Sequence, residues 1–233
     1  MTRQLRFALS LGAVVLAAVL AALPASAQDA RPGIAVLPFE NGGSFGQEKE
    51  DFDGLARGIP GMLISELSRN PAARLVERSA TQRIIDEQDL ARNGRVDAAT
   101  AARVGKMVGA RYMVTGTFMD YYGRFRIDAR LIDVETSEIL KVVSTGQRDR
   151  KELFQMITDV SDQIMQGSKL PPLPAGAAQR RPVPTDALTL YSRAVLYQDR
   201  GETAKAIEYY QRAIATFPDY AEAQEGLRQL RPS

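Results

Sequence analysis

Residues 110–145 read ARYMVTGTFMDYYGRFRIDARLIDVETSEILKVVST, and their spacing decides the fold. In the middle of the stretch Phe125, Ile127, Ala129 and Leu131 alternate with Arg124, Arg126, Asp128 and Arg130. Alternation with period two marks an antiparallel strand with one face on a core and the other in water. Tyr112 to Tyr121 predicts its partner strand, and Tyr122-Gly123 the turn between them. Glu135-Thr136-Ser137 predicts a second turn, into a third strand over 138–145.

Outward from this meander the period becomes helical. Downstream, Leu153, Ile157, Val160 and Ile164 form one apolar stripe. Upstream, Asp97 caps a helix carrying Val104, Met107 and Val108, and Gly109 closes it. Ser79 and Gln82 fit a capping box opening a helix through Ile84 and Ile85. Leu75-Val76 reads as a short strand. Ile59, Met62, Leu63 and Leu67 mark another helix, with Pro60 in its first turn. Ile34-Ala35-Val36-Leu37, ended by Pro38, is a continuous apolar run suited to a strand buried on both faces. The expected order is βαβααβββα, an α/β (α+β) mixed sheet flanked by helices over residues 33–168.

Five of the twelve prolines fall between Pro171 and Pro184, which predicts an extended linker over 169–185. Residues 186–231 follow a repeat pattern. Counting from Ala187, small residues fall at Ala194, Ala206 and Ala213, aromatics at Tyr197 and Tyr210, a turn glycine at Gly201, and Pro218 near the end. This is the register of a tetratricopeptide (TPR) helical hairpin, a unit of about 34 residues. Arg193 departs from it, standing where an aliphatic residue is usual. Asp219 to Leu230 predicts a capping helix, so the C-terminal part is a small all-α domain. One repeat does not bury its own apolar face. The hairpin is therefore expected to dock on the first module, on a second copy or on a partner.

The chain has no Cys, His or Trp. That excludes disulfides, thiol nucleophiles, imidazole metal ligands and a Ser-His-Asp triad. Arg3 and Arg6, the uncharged stretch from Phe7 to Leu23, Pro24 and Ala25-Ser26-Ala27 form a signal peptide pattern. Cleavage is expected between Ala27 and Gln28, with an uncleaved anchor as the alternative. No Cys follows the apolar run, so the exported product is expected in the periplasm and not as a lipoprotein. Beyond residue 27, basic and acidic groups balance, which argues against nucleic acid as a partner.

The segments IAVLPFENGG, ERSATQRIIDEQ and GARYMVTGTFMDYYGRFRIDARLIDVETSEIL together resemble a bacterial envelope family. They are similar to the periplasmic core shared by the curli secretion component CsgG, the flagellar protein FlgO and the N-terminal domain of TolB. The resemblance covers about residues 33–167. It implies a non-enzymatic assembly protein without a cofactor, acting through protein partners, with homo-oligomers and outer-membrane association open. Channels of this family insert long membrane hairpins, and Tyr122-Gly123 is too short for one. Phe52 matches an aromatic of the family's ring-lining loop, here Glu40–Asp53, and is a candidate subunit contact.

Several residues invite sharper readings. Asp51-Phe52-Asp53-Gly54 lacks the carboxylate spacing of a calcium loop and reads as a solvated acidic loop. Asp86, Glu87 and Asp89 resemble paired carboxylates, but a wet helix face explains them as well. No catalytic, metal or cofactor residue is assigned, and no small-molecule substrate. The row Arg124, Arg126 and Arg130, with Asp128, suits an anion site, subunit salt bridges or a solvated sheet face. Tyr191, Gln198 and Asp199 take the positions with which such repeats hold a protein partner, or with which they cover a docked interface.

Overall fold

The computed structural model describes residues 29–44, 48–87, 96–172 and 181–231. The signal peptide with Ala27 and Gln28, the carboxylate Asp89 and the middle of the proline linker lie outside the described residues.

Among the described residues, seven strands form one mixed sheet. Strand β1 (Gly33–Val36) lies parallel between β3 (Arg74–Leu75) and β4 (Tyr112–Tyr121). Strand β4 pairs antiparallel with β5 (Arg124–Asp133), and β5 with β6 (Ile139–Ser144). Two strands of two residues each were too short to leave a periodic signal. They are β2 (Glu40–Asn41), which extends the edge of β4, and β7 (Arg148–Asp149), which extends that of β5. Four helices flank the sheet: α1 (Lys49–Ser68), α2 (Arg78–Glu87), α3 (Ala98–Met107) and α4 (Leu153–Gly167). Then come α5 (Thr185–Asp199), α6 (Thr203–Thr216) and α7 (Ala221–Leu230), the hairpin and its cap. The fold class is the expected one, an α/β mixed sheet followed by a small all-α part.

The sheet separates two cores. Ile34, Val36, Val114, Phe118, Phe125, Ile127, Ala129 and Leu131 face α1 and α4, and this core runs on into the hairpin. Ala35, Leu37, Met113 and Ile132 face α2 and α3 in a smaller core. The continuous apolar run of β1 thus serves both faces. Each large side chain so buried contributes roughly 1.5–3 kcal/mol. On the second face the β4–β5–β6 half carries Arg124, Arg126 and Arg130, all exposed.

Helix α1 begins well before its expected start. Asp51-Phe52-Asp53-Gly54 is not a loop but the first turn of this helix, so Pro60 lies in mid-helix. Proline there has no N–H for the carbonyl four residues back. The orphaned Ala56 carbonyl instead accepts from Phe39 N at 2.8 Å, just after β1. The Phe39 ring lies against Gly116, where a Cβ would overlap it. One proline therefore fixes how α1 meets the sheet.

Three local expectations are corrected. The Ser79–Gln82 capping box does not form, because α2 starts at Arg78 and Gln82 reaches forward to Asp86 at 2.8 Å. Met107 turns to solvent, 48% exposed, while Val104 is buried and Val108 packs half-buried against the same core. Val76 follows β3 rather than ending it, although its N–H still bonds Ile34 O at 2.9 Å. Asp97 does cap α3, accepting from Thr100 N at 2.7 Å. Tyr122 and Gly123 form the expected tight turn with φ of 52° and 83°. A non-glycine residue in that left-handed region costs about 1–2 kcal/mol.

Candidate functional site

Sheet and hairpin belong to one compact unit, Arg31–Ser233, and the seam between them starts from three glycines. Gly54, Gly58 and Gly61 recur at helical spacing along one face of α1. A Cβ on Gly54 would stand 3.1 Å from Arg193 N, and one on Gly61 2.6 Å from Tyr191 Oη. At Gly58 it would collide with Ser192 Oγ. Helix α5 thus lies against bare backbone of α1, which only glycine allows.

Charged groups lock the seam on both sides of the glycines. Arg193 pairs with Asp51, reaches Glu50 at 3.7 Å and donates to the Tyr209 hydroxyl at 3.0 Å. Burial works against its charge, but the hydrogen bonds to Asp51 and Tyr209 outweigh this, and its pKa is raised. Tyr197 donates to Glu50, and that bond, helped by burial, pushes its hydroxyl up to about 12. Asp199 pairs with two guanidinium groups from the sheet domain, accepting a hydrogen bond from Arg78 at 2.8 Å and lying 3.2 Å from Arg57 Nε as an ion pair. At the far end Ser65 bonds Glu222, and the Tyr220 hydroxyl donates to Met62 Sδ at 3.1 Å. Burial holds the Tyr191, Tyr210 and Tyr220 hydroxyls above the ordinary tyrosine range.

Two clefts open along this seam. One, of about 420 Å³, lies between α1, the start of α2, and α5–α7. Tyr191, Gln198 and Tyr210 line it from the hairpin, with Arg78 and Ser79 from the sheet domain. Gln198 accepts from the Tyr210 hydroxyl at 2.6 Å. The other, of about 730 Å³, lies between the β4–β5 turn, the start of α1 and the start of α5. Both are walled by the two lobes together.

The structure brings Tyr191 and Gln198 together in the smaller cleft, with Tyr191 mostly covered by α1. Asp199 stands apart, engaged with Arg57 and Arg78. Phe52 is in the main core, 5% exposed, with the Arg150 guanidinium 5.8 Å over its ring. Arg124 lines the larger cleft, whereas Arg126 and Arg130 edge a shallow hollow on the open sheet face. There Arg126 pairs with Asp128 at 2.8 Å. Sequence reasoning missed Asp51 and the glycine face; the signal available was glycine at i, i+4 and i+7 within a helical stretch. Asp86 and Glu87 are exposed at the end of α2. Among the described residues no group of three acidic side chains is placed to hold a metal ion, and no helix is long and apolar enough to cross a membrane.

Residues 16–126 match the family model of the curli production assembly/transport component CsgG. Residues 187–220 match the tetratricopeptide repeat model. The chain is 26% identical over 215 residues to a putative adenylate cyclase 3 of Rhizobium meliloti (strain 1021), covering 89% of this chain and 34% of that protein. It thus spans about a third of the length of that curated relative. Among solved structures, TolB from Acinetobacter baumannii superposes with a TM-score of 0.41 at 21% identity, over 60% of this chain and 29% of the other. The C-terminal domain of LpoB from Salmonella enterica gives 0.37 at 18%, over 51% and 83%. A lipoprotein from Neisseria meningitidis gives 0.36 at 18%, over 57% and 95%.

Proposed function

From a CsgG-like core followed by a tetratricopeptide repeat as premise, we propose a non-enzymatic periplasmic envelope protein that works by binding other proteins. In this reading it is an accessory in the assembly or secretion of surface structures such as curli-like fibres or adhesins. The observation that carries the reading is the shared seam: both clefts take their walls from the core and the repeat together. A partner seated in either one engages both lobes at once, which a lone hairpin does not offer. The activity named for the curated relative belongs to a protein of which this chain spans a third, and no residue here is proposed for it.

A photo-crosslinking residue placed at Ser79, on the rim of the smaller cleft, tests this in intact cells. Another envelope protein is the expected product, and recovery of self-links alone removes the reading. A second reading is an adaptor for outer-membrane or flagellar integrity, favoured by the β4–β5 connection being a two-residue turn rather than a membrane hairpin. The same turn disfavours a channel subunit. Detergent-dependent solubility of the chain without residues 1–27 would bring the channel back.

A further inference from the structure

We propose that the tip of the β4–β5 hairpin and the larger cleft beside it dock an extended acidic segment of a protein partner. The proposal rests on the protein-binding reading above and names the chemistry of the partner. Tyr121 and Tyr122 are 52% and 78% exposed, with their rings edge to face at 5.0 Å. Tyr122 sits at φ 52°, a position that Asn or Gly takes with less strain. Its ring therefore works against the turn and gains no burial in exchange. Exposed Tyr beside Arg is the composition that concentrates binding energy in protein interfaces.

Charge in the cleft indicates what binds there. Glu48 is taken by Arg150 at 2.9 Å, Asp51 by Arg193, and Asp149 caps a short helical turn through Lys151 N at 2.8 Å. Arg124 and Lys151 have no ion pair among the described residues. Arg212 lies 4.8 Å over the Tyr209 ring, and its one ion pair among the described residues is with Glu208, at 3.5 Å and in solvent. Against these three cations the lining offers Asp186 as a carboxylate not otherwise engaged. Carboxylates of the partner would reach Arg124 and Lys151 while its aliphatic side chains lie on the two tyrosines. An anionic lipid surface shares the charge, but the cations line a recess between two lobes. A flat bilayer does not enter such a recess, and an extended peptide does.

The test uses the full chain and a short fluorescein-labelled peptide alternating Glu and Leu, followed by fluorescence anisotropy. Its control is the same peptide with Lys in place of Glu. The Glu peptide is expected to bind at least about tenfold tighter, with affinity falling as salt rises. Tyr122→Asn should weaken binding about tenfold while leaving the thermal midpoint unchanged or raised. Tyr122→Gly gives the same reading if Asn perturbs the turn. Arg124→Glu together with Lys151→Glu should lose the Glu peptide and gain the Lys peptide. Equal binding of both peptides, or unaltered binding by Tyr122→Asn, overturns the proposal. So does Tyr122-dependent binding to phosphatidylglycerol vesicles in place of the peptide, or a Tyr122-dependent dimer by light scattering. If Tyr122→Asn still crosslinks in cells to the wild-type partner, this site falls and the function stands. If the wild type itself returns only self-links, the function falls and takes the site with it.

Discussion

Asp51 is a carboxylate in the first turn of α1, only 7% exposed, and Arg193 is its counter-charge across the seam. A buried ion that loses its partner costs far more than an exposed pair ever contributes. Arg193→Leu restores the aliphatic residue usual in the repeat, yet it strands Asp51. It is expected to destabilise the chain by about 2–4 kcal/mol in urea unfolding, and Asp51→Asn in the same chain should recover part of that. The exposed Arg126–Asp128 pair on the open sheet face gives the contrast, since breaking it should cost at most about 1 kcal/mol. The departure at Arg193 was visible in the repeat pattern. Its meaning was not, because the partner lies 142 residues away on another element.

Helices α1 and α5 meet through glycine, and the sign of a substitution reports on that. In an open helix, Gly→Ala stabilises by about 1 kcal/mol. At Gly58 the added methyl would overlap Ser192, so Gly58→Ala should destabilise by about 1–3 kcal/mol in the same measurement. Ser192→Gly added to it should return part of the loss. Such a seam was hard to read ahead of the structure, for a physical reason. The meander announces itself because each strand's alternation is set by its own burial, as Phe125 to Leu131 do. The hairpin announces itself through Ala194, Ala206 and Ala213, which pack within one short unit. A glycine face has no hydrophobic signal of its own. The start of α1 was obscured by its acidic first turn and by Pro60, whose helix-breaking tendency is offset by Phe39 N on a different element. Likewise the candidate residues Tyr191 and Gln198 were legible from repeat register, while the α1 wall opposite them was not.

For the molecule as a whole, the tyrosines of the seam set an alkaline limit. Tyr197 titrates near 12 in the folded chain against an ordinary 10, and burial raises Tyr191, Tyr210 and Tyr220 as well. A folded pKa above the unfolded one means that the fold favours the neutral phenol. Its contribution is complete below about pH 10 and is lost as the pH rises toward 12. The thermal midpoint should therefore fall across that window, and Tyr197→Phe should fall less steeply while starting lower at neutral pH. A midpoint indifferent to pH above 10 would contradict the packing described. The bare face of α1 also has a bearing on inheritance. Gly54, Gly58 and Gly61 fit one backbone at one depth, so a generic repeat grafted after the sheet has no socket to enter. Drift at Ser192 or Tyr191 is tolerable only in step with α1. The two lobes, however separate their ancestries, are bound to change as a single lineage.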